Sequence, residues 1–130
     1  MESQKGASTG DNSGIYPDEI LGHNICTASN SEKYREFKFE GFSAGTYKIR
    51  LFCSTIHANS SSERSRWKVN IDGVETEFSI PTGFNPNNNL TQWLEQTVEV
   101  GENGFSIFWG VNSSGSYIYV PLNIIDIEKI

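Results

Sequence analysis

The chain has 130 residues, 36% hydrophobic and 20% charged, with a formal net charge of -6 and a pI near 4.8. That length and balance fit one folded domain with a real hydrophobic core and exclude a disordered polyelectrolyte. The acidic surface repels phosphates, which argues against nucleic acid and anionic membrane as partners, and no apolar stretch is long enough to span a bilayer.

Residues 1–14 are polar and Gly/Ser-rich without periodicity, and read as a flexible lead-in. They lack the apolar h-region of a signal peptide. Residues 15–130 read as a single domain. Beyond the lead-in, apolar residues recur with period two and no window keeps helical spacing. Phe37 and Phe39 share one face of a segment over 35–41, with Lys38 and Glu40 opposite. Tyr47, Ile49, Leu51 and Cys53 alternate with Lys48 and Arg50, and Trp67, Val69 and Ile71 alternate with Lys68 and Asn70. Asp72-Gly73 reads as a hairpin turn leading to a partner strand through Phe78 and Ile80. Leu94, Val98 and Val100 form one face of the next strand. A turn over 101–104 follows, then Phe105, Ile107, Trp109 and Val111, and a last strand from about Tyr117 to Ile130. Strand-length runs with no helix between them predict an all-β fold, an antiparallel β-sandwich of jelly-roll topology.

Gly41-Phe42-Ser43-Ala44-Gly45 matches G-x-S-x-G, the nucleophile elbow of α/β-hydrolases. That elbow works between a strand and a helix, whereas strands flank this copy, so the segment reads as a hairpin turn. His23 and His57 have no metal-ligand spacing, and Glu75, Glu77, Glu95 and Glu99 fall on polar strand faces, where solvated charge is the ordinary reading. Cys26 and Cys53 are too few for a metal knuckle or to establish an oxidising compartment; each reads as a small buried residue, with a Cys26–Cys53 disulfide as the alternative. Asn59, Asn89 and Asn112 begin N-x-[ST] sequons at a frequency chance would give, and mark polar, exposed loops. No catalytic residue, metal or cofactor is implied.

The aromatic residues separate by parity. Trp67 and Trp109 share faces with Val and Ile and belong to the core. Trp93 continues through Glu95, Thr97 and Glu99, which places it outward at the start of its strand. Phe84 stands in an otherwise polar loop with Asn87 and Asn88, and Tyr117 and Tyr119 alternate with Ile118 and Val120. An exposed ring beside amides and a guanidinium suits a neutral sugar, whose C–H face packs on the ring while its hydroxyls take hydrogen bonds. The competing reading is that Trp93 covers a sandwich edge and Phe84 pins its own loop.

The segments Ser13-Gly14-Ile15-Tyr16-Pro17-Asp18, "GFSAGTYKIR" over 41–50, "WKVNIDG" over 67–73 and "YVPLNIIDIEKI" from Tyr119 resemble, in order and spacing, carbohydrate-binding modules of the galactose-binding-like, malectin-like β-sandwich superfamily. The resemblance implies a jelly-roll that binds an oligosaccharide or polysaccharide through end loops or one face, without catalysis, as a secreted or cell-surface domain attached to a longer chain. Many such modules hold a structural calcium with an Asp beside an Asn in the final strand. Here Asn123 is followed by Ile124 and Ile125 before Asp126, and no calcium site is assigned. The resulting expectation is a non-catalytic glycan-binding module using Trp93, Phe84, Asn87, Asn88, Arg66, Tyr117 and Tyr119. The alternative is a structural or adhesive sandwich of a virion or cell surface, using the same aromatics for protein contacts.

Overall fold

The computed structural model describes residues 2–5, 23–29, 32–54, 65–81, 84, 89, 91–111 and 118–130. The strands among them are β1 (Glu2–Lys5), β2 (His23–Ser29), β3 (Lys33–Phe39), β4 (Gly45–Phe52), β5 (Ser65–Ile71), β6 (Val74–Phe78), β7 (Trp93–Val100), β8 (Phe105–Val111), β9 (Ile118–Leu122) and β10 (Ile124–Lys129). Every pairing is antiparallel, in sheets ordered β3-β8-β5-β6, β10-β4-β7 and β1-β2-β9. The fold is the all-β sandwich that the alternation predicts.

The period-two pattern decides which face of each strand turns inward. Tyr47, Ile49, Leu51, Leu94 and Val100 from one sheet meet Trp67, Val69, Ile107, Trp109 and Val111 from the other in a single core. Trp67 and Trp109 are direct cross-strand partners, each 1% exposed. Burying side chains of this size stabilises the fold by roughly 3 kcal/mol each. One-residue slips are excluded, because a slip would turn both indoles to solvent.

The short connections fix the two ends of the sandwich. The links over 40–44, 72–73 and 101–104 gather at one end, the turn end. Asp72 and Gly73 have φ of 52° and 81°, the two positive values that a type I′ hairpin turn requires. β3, β5 and β7 begin, and β4, β6 and β8 end, at the opposite end, the loop end, where Trp93, Arg66 and Phe52 also lie.

Four expectations are corrected here. The last strand, expected as one run from about Tyr117 to Ile130, is two: β9 pairs with β2 and β10 with β4, with Asn123 between them. Glu2–Lys5 is not lead-in but a strand paired with β2, because main-chain pairing needs no side-chain alternation; residues 6–22 lie outside the described residues. The segment from Gly41 to Gly45 is not a hairpin turn. It carries the chain from β3 in one sheet to β4 in the other, since β3 pairs with β8 and β4 with β7 and β10. The strand after the Asp72-Gly73 turn ends at Phe78, short of Ile80.

Gly110 marks where β3 and β8 come closest. A Cβ there would lie 2.0 Å from the Lys33 carbonyl oxygen and 2.8 Å from the Tyr34 Cα, both backbone atoms that cannot swing aside. Gly110→Ala is expected to lower the unfolding free energy by about 3 kcal/mol. Chemical denaturation would show it as a lower midpoint at unchanged slope.

Candidate functional site

The loop end is built around a buried amide. Asn89 is 5% exposed, and its Nδ2 donates to the carbonyls of Cys53 (3.0 Å) and Gln92 (2.8 Å). Its Oδ1 accepts from the backbone N–H groups of Thr91 (3.2 Å) and Gln92 (2.8 Å). Ser54 Oγ donates to the Asn89 carbonyl at 2.7 Å, and Ser54 N–H donates to Asn123 Oδ1 at 2.7 Å. Asn123 N–H in turn donates to the Phe52 carbonyl at 2.9 Å. One connected network therefore ties the end of β4, the chain entering β7 and the junction of β9 with β10. The sequon at Asn89 marks a side chain whose amide is spent inside the fold, not an exposed loop. Asn59 and Asn112 lie outside the described residues.

Trp93 follows directly on this anchor. Its register opposite Phe52 and its parity with Glu95 place it on the outer face of the β10-β4-β7 sheet, half-buried. The Arg50 guanidinium carbon sits 4.5 Å from the centroid of the indole, and the Phe52 ring packs at 5.2 Å with a 56° tilt. Arg50 is itself held by its cross-strand partner: its Nε donates to Asp126 Oδ2 at 2.8 Å, and Nη2 reaches the same oxygen. An Asp126–Arg50–Trp93 chain thus runs across three strands and fixes the indole plane. Phe52 is fully buried on this outer face, apart from the main core.

The other sequence-selected residues separate. Arg66 lies at the same end but on the outer face of the opposite sheet, since Trp67 beside it points into the core. Its Nη1 donates to the Ser65 carbonyl at 2.7 Å, and its Nε lies 3.5 Å from Glu77. Sheets stack about 10 Å apart, so Trp93 and Arg66, pointing away from each other, cannot grip one sugar ring. Phe84 corrects the expectation of an exposed loop ring: it is 5% exposed, part of the core, and its N–H closes a turn onto the Pro81 carbonyl. Tyr119 stands in β9 paired with Ala28. Asn87, Asn88 and Tyr117 lie outside the described residues.

On the face that carries Arg66, Lys68 reaches across β8, its Nζ 4.3 Å from the Tyr34 ring centroid and 3.0 Å from Glu75. The hydrogen bond to Glu75 raises the Lys68 pKa, and burial raises that of Tyr34.

Comparison with known proteins adds to the architecture. No protein-family model matches the sequence, and no curated protein matches it. Among solved structures, the chain is similar to a family 35 carbohydrate binding module from an environmental isolate, with a TM-score of 0.55, 16% identity, and coverage of 98% of this chain and 85% of that one. The two share a fold. At that identity the likeness concerns the sandwich and says nothing about individual side chains.

Ser43, the centre of the G-x-S-x-G motif, is not an activated nucleophile. The Lys129 ammonium donates to its Oγ at 2.8 Å, and the Tyr47 hydroxyl donates to its carbonyl at 2.7 Å. A donating cation draws density from the hydroxyl, where a nucleophile needs a base to accept its proton. Among the described residues no group of His, Cys, Asp and Glu is arranged to hold a metal ion. Asp126 is paired with Arg50 and Asn123 Oδ1 with Ser54 N–H, so neither carboxylate nor amide is disposed as a calcium ligand.

Asn89 is the residue that residue-type reasoning missed; the signal was a polar residue between Phe84 and the Leu94 strand with no turn glycine beside it. Asn89→Ala is expected to lower the unfolding free energy by about 3 kcal/mol, because the Cys53 and Gln92 groups lose buried partners. Cys53 gives a second expectation. It is a free thiol, fully buried, and burial pushes its pKa above the ordinary 9.0. The unfolded thiol ionises while the folded one does not, so stability is full below about pH 9 and declines as pH rises past it. In a Cys26→Ser background, denaturation at a series of pH values should show that decline, and Cys53→Ala should make it shallower, the remainder belonging to groups such as Tyr34.

Proposed function

We propose that the chain is a non-catalytic carbohydrate-binding module that takes a neutral oligosaccharide or polysaccharide at its loop end, with Trp93 as the stacking surface. The carrying observation is the indole itself: a half-buried aromatic ring on an outer sheet face, beside the Asn89 network, held in plane by Arg50 and Phe52. A ring fixed before the ligand arrives loses little conformational entropy on binding. The shared fold with a carbohydrate binding module supports the same reading, as does the net charge of -6, which favours an uncharged ligand over a phosphorylated one.

Arg66, Asn87, Asn88, Tyr117 and Tyr119 belong to this proposal as polar and aromatic contacts of the loops and strand ends. Because Arg66 occupies the opposite outer face from Trp93, one glycan touching both must pass over the loop end and span several sugar residues. Phe84 contributes from within the core, its N–H closing a turn onto the Pro81 carbonyl. Such a module acts as a secreted or cell-surface domain within a longer chain, where it raises the local concentration of a glycan near its neighbours. Among the described residues no helix is long and apolar enough to cross a membrane.

Calorimetric titration with a panel of neutral oligosaccharides tests the assignment. At least one member is expected to bind with modest affinity, and Trp93→Ala to weaken it by about tenfold or more while the unfolding midpoint changes little. Binding untouched by Trp93→Ala would remove the indole from the site. A panel with no binder, together with a stable dimer or trimer in light scattering, would favour the adhesive reading.

A further inference from the structure

A second concavity lies far from Trp93, at the turn end, on the outer face of the β3-β8-β5-β6 sheet. It is an open cleft of about 300 Å3, at the small end of ligand sites, and its polar lining is Lys38, Glu40, Asn70, Asp72, Asn103 and Ser106. The strands place three of these in one row: Lys38 is the cross-strand partner of Ser106, and Ser106 of Asn70. The 72–73 and 101–104 turns raise the walls, joined by a hydrogen bond from Asn103 Nδ2 to Asp72 Oδ1 at 3.2 Å. Asn70 Oδ1 accepts the Gly73 N–H at 3.2 Å, which fixes the Asn70 amide plane. Gly104 forms part of the floor, and a Cβ there would lie 2.3 Å from the Phe39 carbonyl oxygen. At Gly73 a Cβ would meet nothing within 4 Å, so that rim is open.

The chemistry of this lining selects its occupant. Among the described residues, Asn70 Nδ2, Asp72 Oδ2 and Ser106 Oγ make no hydrogen bond, so the cleft offers donors and acceptors side by side. Glu40 and Asp72 disfavour an anion, the Lys38 ammonium is already paired with Glu36 at 3.4 Å, and among the described residues no group of carboxylates is arranged to hold a metal ion. What remains is an uncharged molecule whose hydroxyls both donate and accept. We propose that this cleft is a second carbohydrate-binding site, taking one neutral sugar residue through hydroxyl contacts to Asn70, Asp72, Asn103 and Ser106. The proposal rests on the reading of the chain as a carbohydrate-binding module and adds to it: with sites at opposite ends, one copy can bridge two glycan strands, and avidity compensates for weak single contacts.

The test is amide chemical-shift mapping of the whole chain, titrated separately with the methyl glycosides of glucose, galactose, mannose and xylose. At least one is expected to shift the amides of Asn70, Gly73, Asn103, Gly104 and Ser106 in a saturable way. Asp72→Asn keeps a residue type that tolerates the positive φ of 52°, and Asn103→Ala removes the other turn amide. Each is expected to weaken the turn-end shifts by about tenfold, with unchanged β5–β6 amide positions reporting an intact hairpin, while Trp93→Ala leaves the turn-end shifts in place. Shifts confined to the loop end with every glycoside would overturn the second site and leave the proposed function standing. Turn-end shifts that survive both substitutions would overturn the assignment of these residues, and no shift anywhere would overturn both readings.

Discussion

The structure depends on two indoles facing each other across one pair of strands. Trp67 and Trp109 are register partners buried between the sheets, and their bulk admits one alignment of β5 with β8. Once that alignment is set, parity decides everything on the other side of the sheet. Arg66, Lys68 and Asn70 turn outward with Ser106 and Phe108, and the bare backbone of Gly110 falls between Tyr34 and Arg66. The opposing sheet obeys the same constraint, with Leu51 and Leu94 inward and Phe52, Arg50 and Trp93 outward. Among the described residues of these two sheets, each outward side chain therefore lies on one outer face or the other, and none serves both.

This constraint explains how much could be read from the sequence. The alternation of Tyr47, Ile49 and Leu51 with Lys48 and Arg50 is a burial signal that depends on local order alone, so the strands of the two facing sheets were legible. β1 and β2 were not, because Glu2–Lys5 pairs through its main chain with no apolar face of its own. The Gly41–Gly45 link looks the same in sequence whether it joins neighbours in one sheet or crosses to another; only the choice of β8 as the partner of β3 distinguishes them. Asn89 and Phe84 mislead for a related reason. Both sit in a polar stretch, and composition reports the average of a loop, whereas burial here is set by a few inward contacts made from within it.

The loop end is held by its own polar groups. Asn89, Ser54 and Asn123 bind the end of β4, the chain entering β7 and the junction of β9 with β10 into one hydrogen-bonded block. The likeness to a family 35 carbohydrate binding module at 16% identity shows that the architecture persists while most side chains change. Parity placed Trp93 outward from sequence. The cation above it could not be foreseen, because Arg50 reaches the indole diagonally, from a residue whose direct partner is Glu95.

The uneven burial of the three tryptophans gives the protein its own optical reporter. Trp67 and Trp109 are sealed in the interior at 1% exposure, whereas Trp93 is half-buried on an outer face with a guanidinium against its ring. Emission from the first two belongs at the blue end of the tryptophan range and is shielded from dissolved quenchers. Emission from the third is red-shifted and open to them. A neutral quencher such as acrylamide therefore separates one indole from the other two in the unmodified chain, and any molecule that settles on the outer face of the β10-β4-β7 sheet announces itself as a loss of that quenchable fraction.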